Sequence, residues 1–224
     1  MSRPIAVLRP EPGNRVTAAV IESAGRTAIR LPLFEARPMA WEAPDPADFD
    51  ALIITSANAM RHGGKGLAQL RDLPVHAVGE ATAEAARRAG FRVAAMGSTG
   101  SAELIALAEA AGVRRALHLA GRERTVEPGG IVVAVVTVYA TEPIAVSGAA
   151  VRRLGGSVVL VQSARTGERF AEIVDAAGID RATIALVAIG RRAAAAAGTG
   201  WETVLVPPDF AGTALTDAAI ALAD

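Results

Sequence analysis

The sequence contains no cysteine. That excludes disulfides and thiolate-bound metals, and it is the usage expected of a reducing cytosol. The three histidines, His62, His76 and His118, follow no metal-ligand spacing, so no metal site is expected. Lys65 is the only lysine. It lies in HGGKGL and is followed by glycine, which matches neither the phosphate-cradling GxxxxGK[ST] loop nor a desolvated Schiff-base lysine. A solvated charge is its expected role. No GxGxxG follows an apolar strand, so the dinucleotide fingerprint is missing. Neither sign of charge is in excess: Lys+Arg and Asp+Glu balance at 23 each. No global field then draws the chain to nucleic acid or an anionic membrane, and any charged ligand must be held by local groups. The start, MSRPIAVLRPEP, reaches charge and proline at once and is expected to be neither a signal peptide nor a membrane span. No later apolar run is long enough to cross a bilayer.

What is present is a chain of 224 residues, 51% of them hydrophobic, enough for two lobes of roughly 100 residues, each with its own core. Short β-branched runs, IAVL, ALIIT, VHAV, RALHLA, VVLVQS and IALVAIG, alternate with Ala-rich stretches of helical period such as ATAEAARRAG and TALTDAAIALA. The alternation predicts parallel sheets covered by helices. Many runs end in Gly, Ser, Thr or Asn just before a helix, which places hydroxyls and open backbone N–H groups at helix N-termini. GSTGS at 97–101 is one such turn. Open α/β sheets bind ligands at turns of this kind.

The sequence also repeats itself. ALIITSANAM matches VVLVQSARTG with Ser56 on Ser163, and AVGEATAEAARRAGFRV matches AIGRRAAAAAGTGWETV with Gly79 on Gly190. PIAVLRPEP…LPLFEARP pairs in the same way with ALHLAGRER…VTVYATEP, which sets Phe34 against Tyr139. So long a period indicates two domains rather than a solenoid. Nothing near Gly112 reads as a linker, whereas EARPMAWEAPDPADFD and ATEPIAVSGAA are rich in Pro and polar residues. The expected division is therefore a discontinuous lobe, 1–36 with 147–224, and an inserted lobe, 39–140, with crossing linkers at 37–38 and 141–146. The predicted fold class is α/β: two Rossmann-like parallel-sheet lobes from a duplicated unit, a two-strand crossing hinge, and a functional cleft between the lobes.

Several of these segments, taken in order, resemble the uroporphyrinogen-III synthase family. LRPEPGN at 8–14 is similar to the family's opening strand-turn, and DALIITSANAM at 50–60 to its Thr-Ser-x-Asn signature. AVGEATAEAARRAGF at 77–91 is similar to its Val-Gly-x-x-Thr-Ala element, VYATEP at 138–143 to its Tyr-bearing crossing strand, and VQSARTGERF at 161–170 to its second Ser turn. The order and spacing of the motifs make the match specific. The resemblance implies a cofactor-free cytoplasmic enzyme, a carbon–oxygen lyase of tetrapyrrole biosynthesis that supplies haem, sirohaem and cobalamin. Its substrate would be hydroxymethylbilane, a linear polycarboxylate that cyclises unaided to the type I isomer. The enzyme's task would be to fold the bilane so that ring D closes inverted, which is positioning more than acid–base chemistry. A monomer is expected, binding neither nucleic acid nor membrane and making at most transient contact with the bilane-forming enzyme.

Carried residue by residue, the resemblance implies that Thr55, Ser56, Asn58, Gly79, Glu80, Ala81, Thr82, Gly121, Ser163, Gly190 and Arg191 hold acetate and propionate groups. Arg9, Arg122 and Arg165 would be charge partners. Tyr139, the only tyrosine, would help the hydroxyl leave as hydrogen-bond donor or general acid; the bland alternative is strand packing, as for its repeat partner Phe34. Two departures stand out. GRRAAAAA puts Ala193 where the family has a hydroxyl and sets Arg191 and Arg192 beside the turn, so that a guanidinium takes over the carboxylate. LAGRERT lacks the usual Arg before Gly121, with Arg122 and Arg124 just after it. The main competing reading is a two-lobed cytosolic protein that binds a small polyanion without turnover. A phosphorylated receiver would need an acidic cluster at the strand ends, and only LRPEP of the turns carries an acid.

Overall fold

The structure is a computed structural model, and it describes residues 2–98, 100–208 and 213–224. From the N-terminus run β1 (Ile5–Val7), α1 (Gly13–Ser23), β2 (Ala28–Arg30), β3 (Phe34–Pro38), β4 (Ala51–Ile54), α2 (Ala57–His62), β5 (Val75–Val78), α3 (Glu80–Arg88), β6 (Val93–Gly97) and α4 (Ser101–Ala110). Then follow β7 (Ala116–Gly121), β8 (Val132–Pro143), α5 (Gly148–Arg152), β9 (Val158–Val161), α6 (Ala164–Ala176), β10 (Ala185–Ala188), α7 (Arg191–Ala197), β11 (Thr203–Leu205) and α8 (Ala214–Leu222). The chain forms two compact units, Met1–Glu35 with Pro143–Asp224, and Ala36–Glu142. Thr99 of the GSTGS turn lies outside the described residues. No described helix is long and apolar enough to cross a membrane.

The discontinuous unit carries a five-stranded sheet in the order β11-β10-β9-β1-β2. The inserted unit carries a six-stranded sheet in the order β3-β8-β7-β4-β5-β6. The pairs β1–β2, β1–β9, β9–β10, β10–β11, β4–β5, β4–β7, β5–β6 and β7–β8 are parallel. Under the sequence repeat, β9 corresponds to β4, β10 to β5, β11 to β6 and β1 to β7. The two sheets therefore have the same strand order, with β3 added at one edge of the second. The single long strand β8 stands where the other copy has β2 and β3.

Strand composition follows position in the sheet. β4, β9 and β10 (ALII, VVLV and ALVA) are buried at every residue, as parallel strands covered by helices on both faces must be. The edge strand β11 is exposed throughout. Alternate residues serve opposite faces: Ala6 and Leu8 join Phe34, Leu154, Phe170 and Trp201 on one side, while Ile5 and Val7 join Ile21, Leu160 and Val187 on the other. The inserted unit splits likewise, Leu52 and Ile54 facing α2 and α3 and Ala51 and Ile53 facing α4. Phe170, wholly buried, stacks on Trp201 at 5.2 Å between ring centroids; truncating such a ring to Ala costs about 3–5 kcal/mol.

Gly167 lets α6 approach α7. A β-carbon there would lie 2.7 Å from the Ala193 carbonyl oxygen and 3.0 Å from the Ala197 amide nitrogen. Ala193 is itself 2% exposed and part of the core.

Candidate functional site

In doubly wound sheets the ligand crevice opens where successive connections leave the strands in opposite directions. In the inserted unit that point lies between β4 and β7, and in the discontinuous unit between β9 and β1. The turns that follow these strands carry Thr55, Ser56 and Asn58, Gly121 and Arg122, Ser163 and Arg165, and Arg9. These residues thus lie at the switch point of their own unit, whereas Gly79, Glu80, Ala81 and Thr82 follow β5, Gly190 and Arg191 follow β10, and Tyr139 lies within β8.

In the inserted unit, Ser56 is the N-cap of α2 and its Oγ accepts from Asn58 N at 3.3 Å. The hydroxyl proton remains available to a ligand oxygen. Thr55 is half-buried, and its Oγ1 lies 3.1 Å from His118 Nε2. Arg61 reaches Asn58 Oδ1 only at 3.4 Å. At the neighbouring turn, Gly79 begins α3 at φ +74° and ψ 155°, a conformation open essentially to glycine alone. It supplies no side-chain cap, so the first N–H groups of α3, at Glu80 and Ala81, stay open. The Glu80 carboxylate is taken by Arg87 at 2.7 Å. Thr82 faces inward, 5% exposed, like its repeat partner Ala193. A cavity of about 470 Å³ between α2 and α3, lined by Met60, Arg61, Glu84 and Arg88 among others, includes Ala81 alone of these candidates.

The arginines after β7 are engaged with carboxylates. Arg122 pairs with Glu142 at 2.7 Å; Arg124 pairs with Glu127 at 3.2 Å and donates to Thr137 Oγ1 at 3.2 Å. These exposed pairs are weak and exchangeable.

In the discontinuous unit, Ser163 is exposed and caps α6, its Oγ accepting from Thr166 N at 3.1 Å and sharing a 2.8 Å hydrogen bond with Thr166 Oγ1. Arg165 lies over the Phe34 ring, 4.6 Å from its centroid. The Arg9 guanidinium is draped over Gly13, where a β-carbon would come within 2.4 Å of its Nε. Desolvation lowers its pKa from the ordinary value, and it has no hydrogen-bond or ion-pair partner among the described residues. Asn14, wholly buried, secures this turn by donating to Val7 O at 2.7 Å and Arg9 O at 3.1 Å. Gly190 is extended, at φ −176°, and caps α7 without a side chain. Arg191 and Arg192 open that helix, both exposed, unpartnered among the described residues and with no acid in the first turn. Two cations at a helix N-terminus oppose the macrodipole, a cost that an anion would relieve.

Tyr139 is 8% exposed and sits opposite Gly121 in the β7–β8 register. The Arg122 backbone N–H donates to the Tyr139 carbonyl at 2.9 Å, locking this stretch of β8 against the β7 turn. The phenol makes no hydrogen bond to another described residue. His62, the last residue of α2, has its ring 6.2 Å from that of Tyr139. Its pKa is lowered by desolvation and by Arg61. His62 and His118 are the residues that sequence reasoning passed over. Once metal-ligand spacing was dismissed, only the placement of His118 inside the apolar run ALHLAG marked it as buried. Lys65 is exposed in a 3₁₀ turn, as expected of a solvated charge. The described residues hold no group of three or more His, Cys, Asp or Glu placed to bind a metal ion.

Chemically, the arrangement offers hydroxyl and backbone donors at two switch points, arginines that can turn toward carboxylates, and one unengaged phenol. Comparison with solved structures finds the same fold in the uroporphyrinogen-III synthetase from Helicobacter pylori, at 19% identity and a TM-score of 0.64 over 98% of this chain and 99% of that one. A mutant uroporphyrinogen III synthase from Thermus thermophilus aligns at 18% identity and a TM-score of 0.49, over 99% of each chain. Among curated proteins none matches in sequence. The model of the family described as uroporphyrinogen-III synthase HemD matches residues 15–217, nearly the whole of both units, and the chain belongs to that family.

Proposed function

We propose that the protein is a uroporphyrinogen-III synthase that converts hydroxymethylbilane to uroporphyrinogen III with loss of water and inversion of ring D. Membership of the family supplies the reaction. The observation that ties it to the geometry is the doubled switch-point turn, with Ser56 and Ser163 as equivalent N-caps in the two sheets.

The substrate is a flexible polyanion, and most of the work is to hold it in one folded conformation. Thr55, Ser56, Asn58 and the open N–H groups of Glu80 and Ala81 after Gly79 bind acetate and propionate oxygens in the inserted unit. Thr82 contributes through its turn rather than as an exposed hydroxyl. Ser163, Arg165, Arg9 and the Gly190–Arg191 turn do the same in the discontinuous unit, with Arg192 beside it. Arg122 exchanges Glu142 for a substrate carboxylate. Ala193 is buried, as its repeat partner Thr82 is, and the paired arginines supply charge at that turn instead.

Tyr139 donates to the departing hydroxyl. The carbon–oxygen bond of the hydroxymethyl group breaks, the oxygen leaves as water, and the freed methylene carbon is attacked by the substituted carbon of ring D. The bond from the ring C methylene to ring D then breaks, the methylene carbon bonds the unsubstituted carbon of ring D, and the proton displaced from that carbon leaves to solvent, so that ring D is inverted. With its hydroxyl unengaged by described protein groups, Tyr139 has its proton free for this role.

The test is direct. Fresh hydroxymethylbilane is incubated with the protein, the product is oxidised, and the ratio of type III to type I isomer is measured. Type III is expected to dominate. Bound bilane that yields only type I at the spontaneous rate would make the protein a polyanion binder.

A further inference from the structure

The repeat that sets Ser56 on Ser163 also sets His62 on Arg169, each six residues further on, just as it sets Tyr139 on Phe34. In the structure the members of each copy meet. Arg169 Cζ lies 5.9 Å from the centroid of the Phe34 ring, and the His62 ring lies 6.2 Å from that of Tyr139, tilted by 34°. Each contact is made inside one unit. The duplicated fold thus sets a basic side chain, from the helix after β4 or β9, beside an aromatic ring on a crossing strand, β8 or β3.

The chemistry differs between the copies at both positions. Where the ring is phenylalanine and has no proton to give, the base is an arginine, charged at every accessible pH. Where the ring is a phenol, the base is a histidine, which can take up and release its charge. Desolvation, and after it the Arg61 cation on the same helix, lower the His62 pKa from its ordinary value. Around neutral pH the resting imidazole is therefore uncharged. On β8 the titratable neighbour is Tyr139 itself, and Arg122, whose backbone holds that residue, has its charge met by Glu142 at 2.7 Å. The connection after β3 contributes Trp41, uncharged, whose Nε1 donates to Gly63 O at 2.8 Å. Lys65 of the following 3₁₀ turn is exposed.

Proton donation changes this balance. When the Tyr139 O–H bond breaks and its proton leaves with the departing hydroxyl as water, the phenol oxygen becomes negative. Opposite unit charges about 6 Å apart near a protein surface attract enough to shift an equilibrium roughly tenfold or more. The half-buried imidazole then binds a proton from solvent and becomes the counter-charge. At the end of turnover the phenolate takes a proton from solvent, which has received the one displaced from ring D, and the imidazolium returns its own.

We propose that His62 is a positioning residue that supplies, by taking up a proton, the charge that stabilises the Tyr139 phenolate. The inference rests on the reading of Tyr139 as donor to the departing hydroxyl. His62 does not touch substrate, and its effect passes entirely through Tyr139.

Two replacements, assayed with hydroxymethylbilane, separate charge from packing. His62→Arg installs the other copy's cation without the imidazole ring, and His62→Phe keeps a ring without charge. Turnover should stay within about twofold of wild type in His62→Arg and fall about tenfold in His62→Phe, with KM nearly unchanged in both. In the Tyr139→Phe background, His62→Phe should cost nothing further. Because Tyr139 is the only tyrosine, ultraviolet titration follows its phenol alone, without substrate. The midpoint should be about one pH unit lower in His62→Arg than in His62→Phe. Full kcat in His62→Phe, a loss confined to His62→Arg, or equal phenol midpoints in the two variants would overturn the electrostatic role and leave His62 a packing residue. A His62→Phe loss that persists undiminished in the Tyr139→Phe background would overturn it as well. Should either variant fold poorly, His62→Gln replaces the uncharged variant and His62→Lys the charged one, with the same expectations. Failure of the underlying readings shows separately, as full activity in Tyr139→Phe alone or as absence of type III product from wild-type protein.

Discussion

Gly121 and Tyr139 face each other across β7 and β8 so closely that a β-carbon on Gly121 would lie 2.7 Å from Tyr139 Cζ and 2.9 Å from its hydroxyl oxygen. The glycine is the space in which the phenol rests. Gly121→Ala should therefore turn the ring out of place, lowering kcat roughly tenfold or more through misplacement of the reacting group. Overpacking of this kind costs about 1–3 kcal/mol of stability. Isomer assay and urea denaturation on the same variant separate the two effects; full activity would show that the ring position is immaterial.

Tyr139→Phe removes the hydroxyl and keeps the ring. Turnover should fall about a hundredfold, the usual worth of an engaged general acid. Type III should remain the main enzymatic product, because the groups that fold the bilane are untouched. Phe34→Tyr in that background should not restore activity, since Phe34 lies under Arg165 in the core of the discontinuous unit. Full activity in Tyr139→Phe would leave the tyrosine a packing residue. Type I product at undiminished bilane consumption would instead make it a positioner of ring D.

Arg191 and Arg192 open α7 without an acidic partner among the described residues. Replacing both with Ala should raise KM at low ionic strength, and by less at high salt, where the wild-type attraction is already screened over a Debye length of about 3–10 Å. Identical salt profiles for wild type and variant would make them surface charge.

Acid should weaken the inserted unit through His118. Its folded pKa, about 4, lies below the ordinary 6.5 because burial disfavours the charged ring. The folded chain refuses a proton that the unfolded chain accepts. The resulting stability is complete above pH 6.5, is lost as pH falls toward 4, and amounts to about 3 kcal/mol if the full shift is realised. His76, also buried and lowered by desolvation, acts in the same direction. Urea midpoints at pH 7 and pH 5 should differ accordingly. The difference should shrink in His118→Gln, and an unchanged difference there would assign the acid sensitivity to other groups.

Much of the fold was legible because fully covered parallel strands must be apolar at every position, as ALII, VVLV and ALVA are. The edge strand β11 gave no such signal, since its three residues are exposed. The repeat made the shared strand order of the two sheets readable from the sequence. The site was less legible. Ala193 reads in sequence as a missing ligand hydroxyl, yet its side chain is buried in the core, a placement that no local pattern announces. The Thr55–His118 contact joins residues distant in sequence and exists only once the strands that carry them are laid side by side. Burial of Thr82, likewise, depends on which face of α3 meets the sheet.

The discontinuous unit also imposes an order on synthesis. β1 leaves the ribosome before any of the inserted unit, yet its place is between β2 and β9, with Ile5 opposite Val158. Residues 36–142 are complete, with all their mutual contacts available, before β9 has been made. The inserted unit can therefore mature on the ribosome while the N-terminal segment waits for its sheet. Closing that sheet carries the loop-closure entropy of a separation spanning most of the chain. Because domains generally fold as units, a folded inserted unit shortens that separation by bringing the two crossing strands together, and so acts as the internal chaperone of the other.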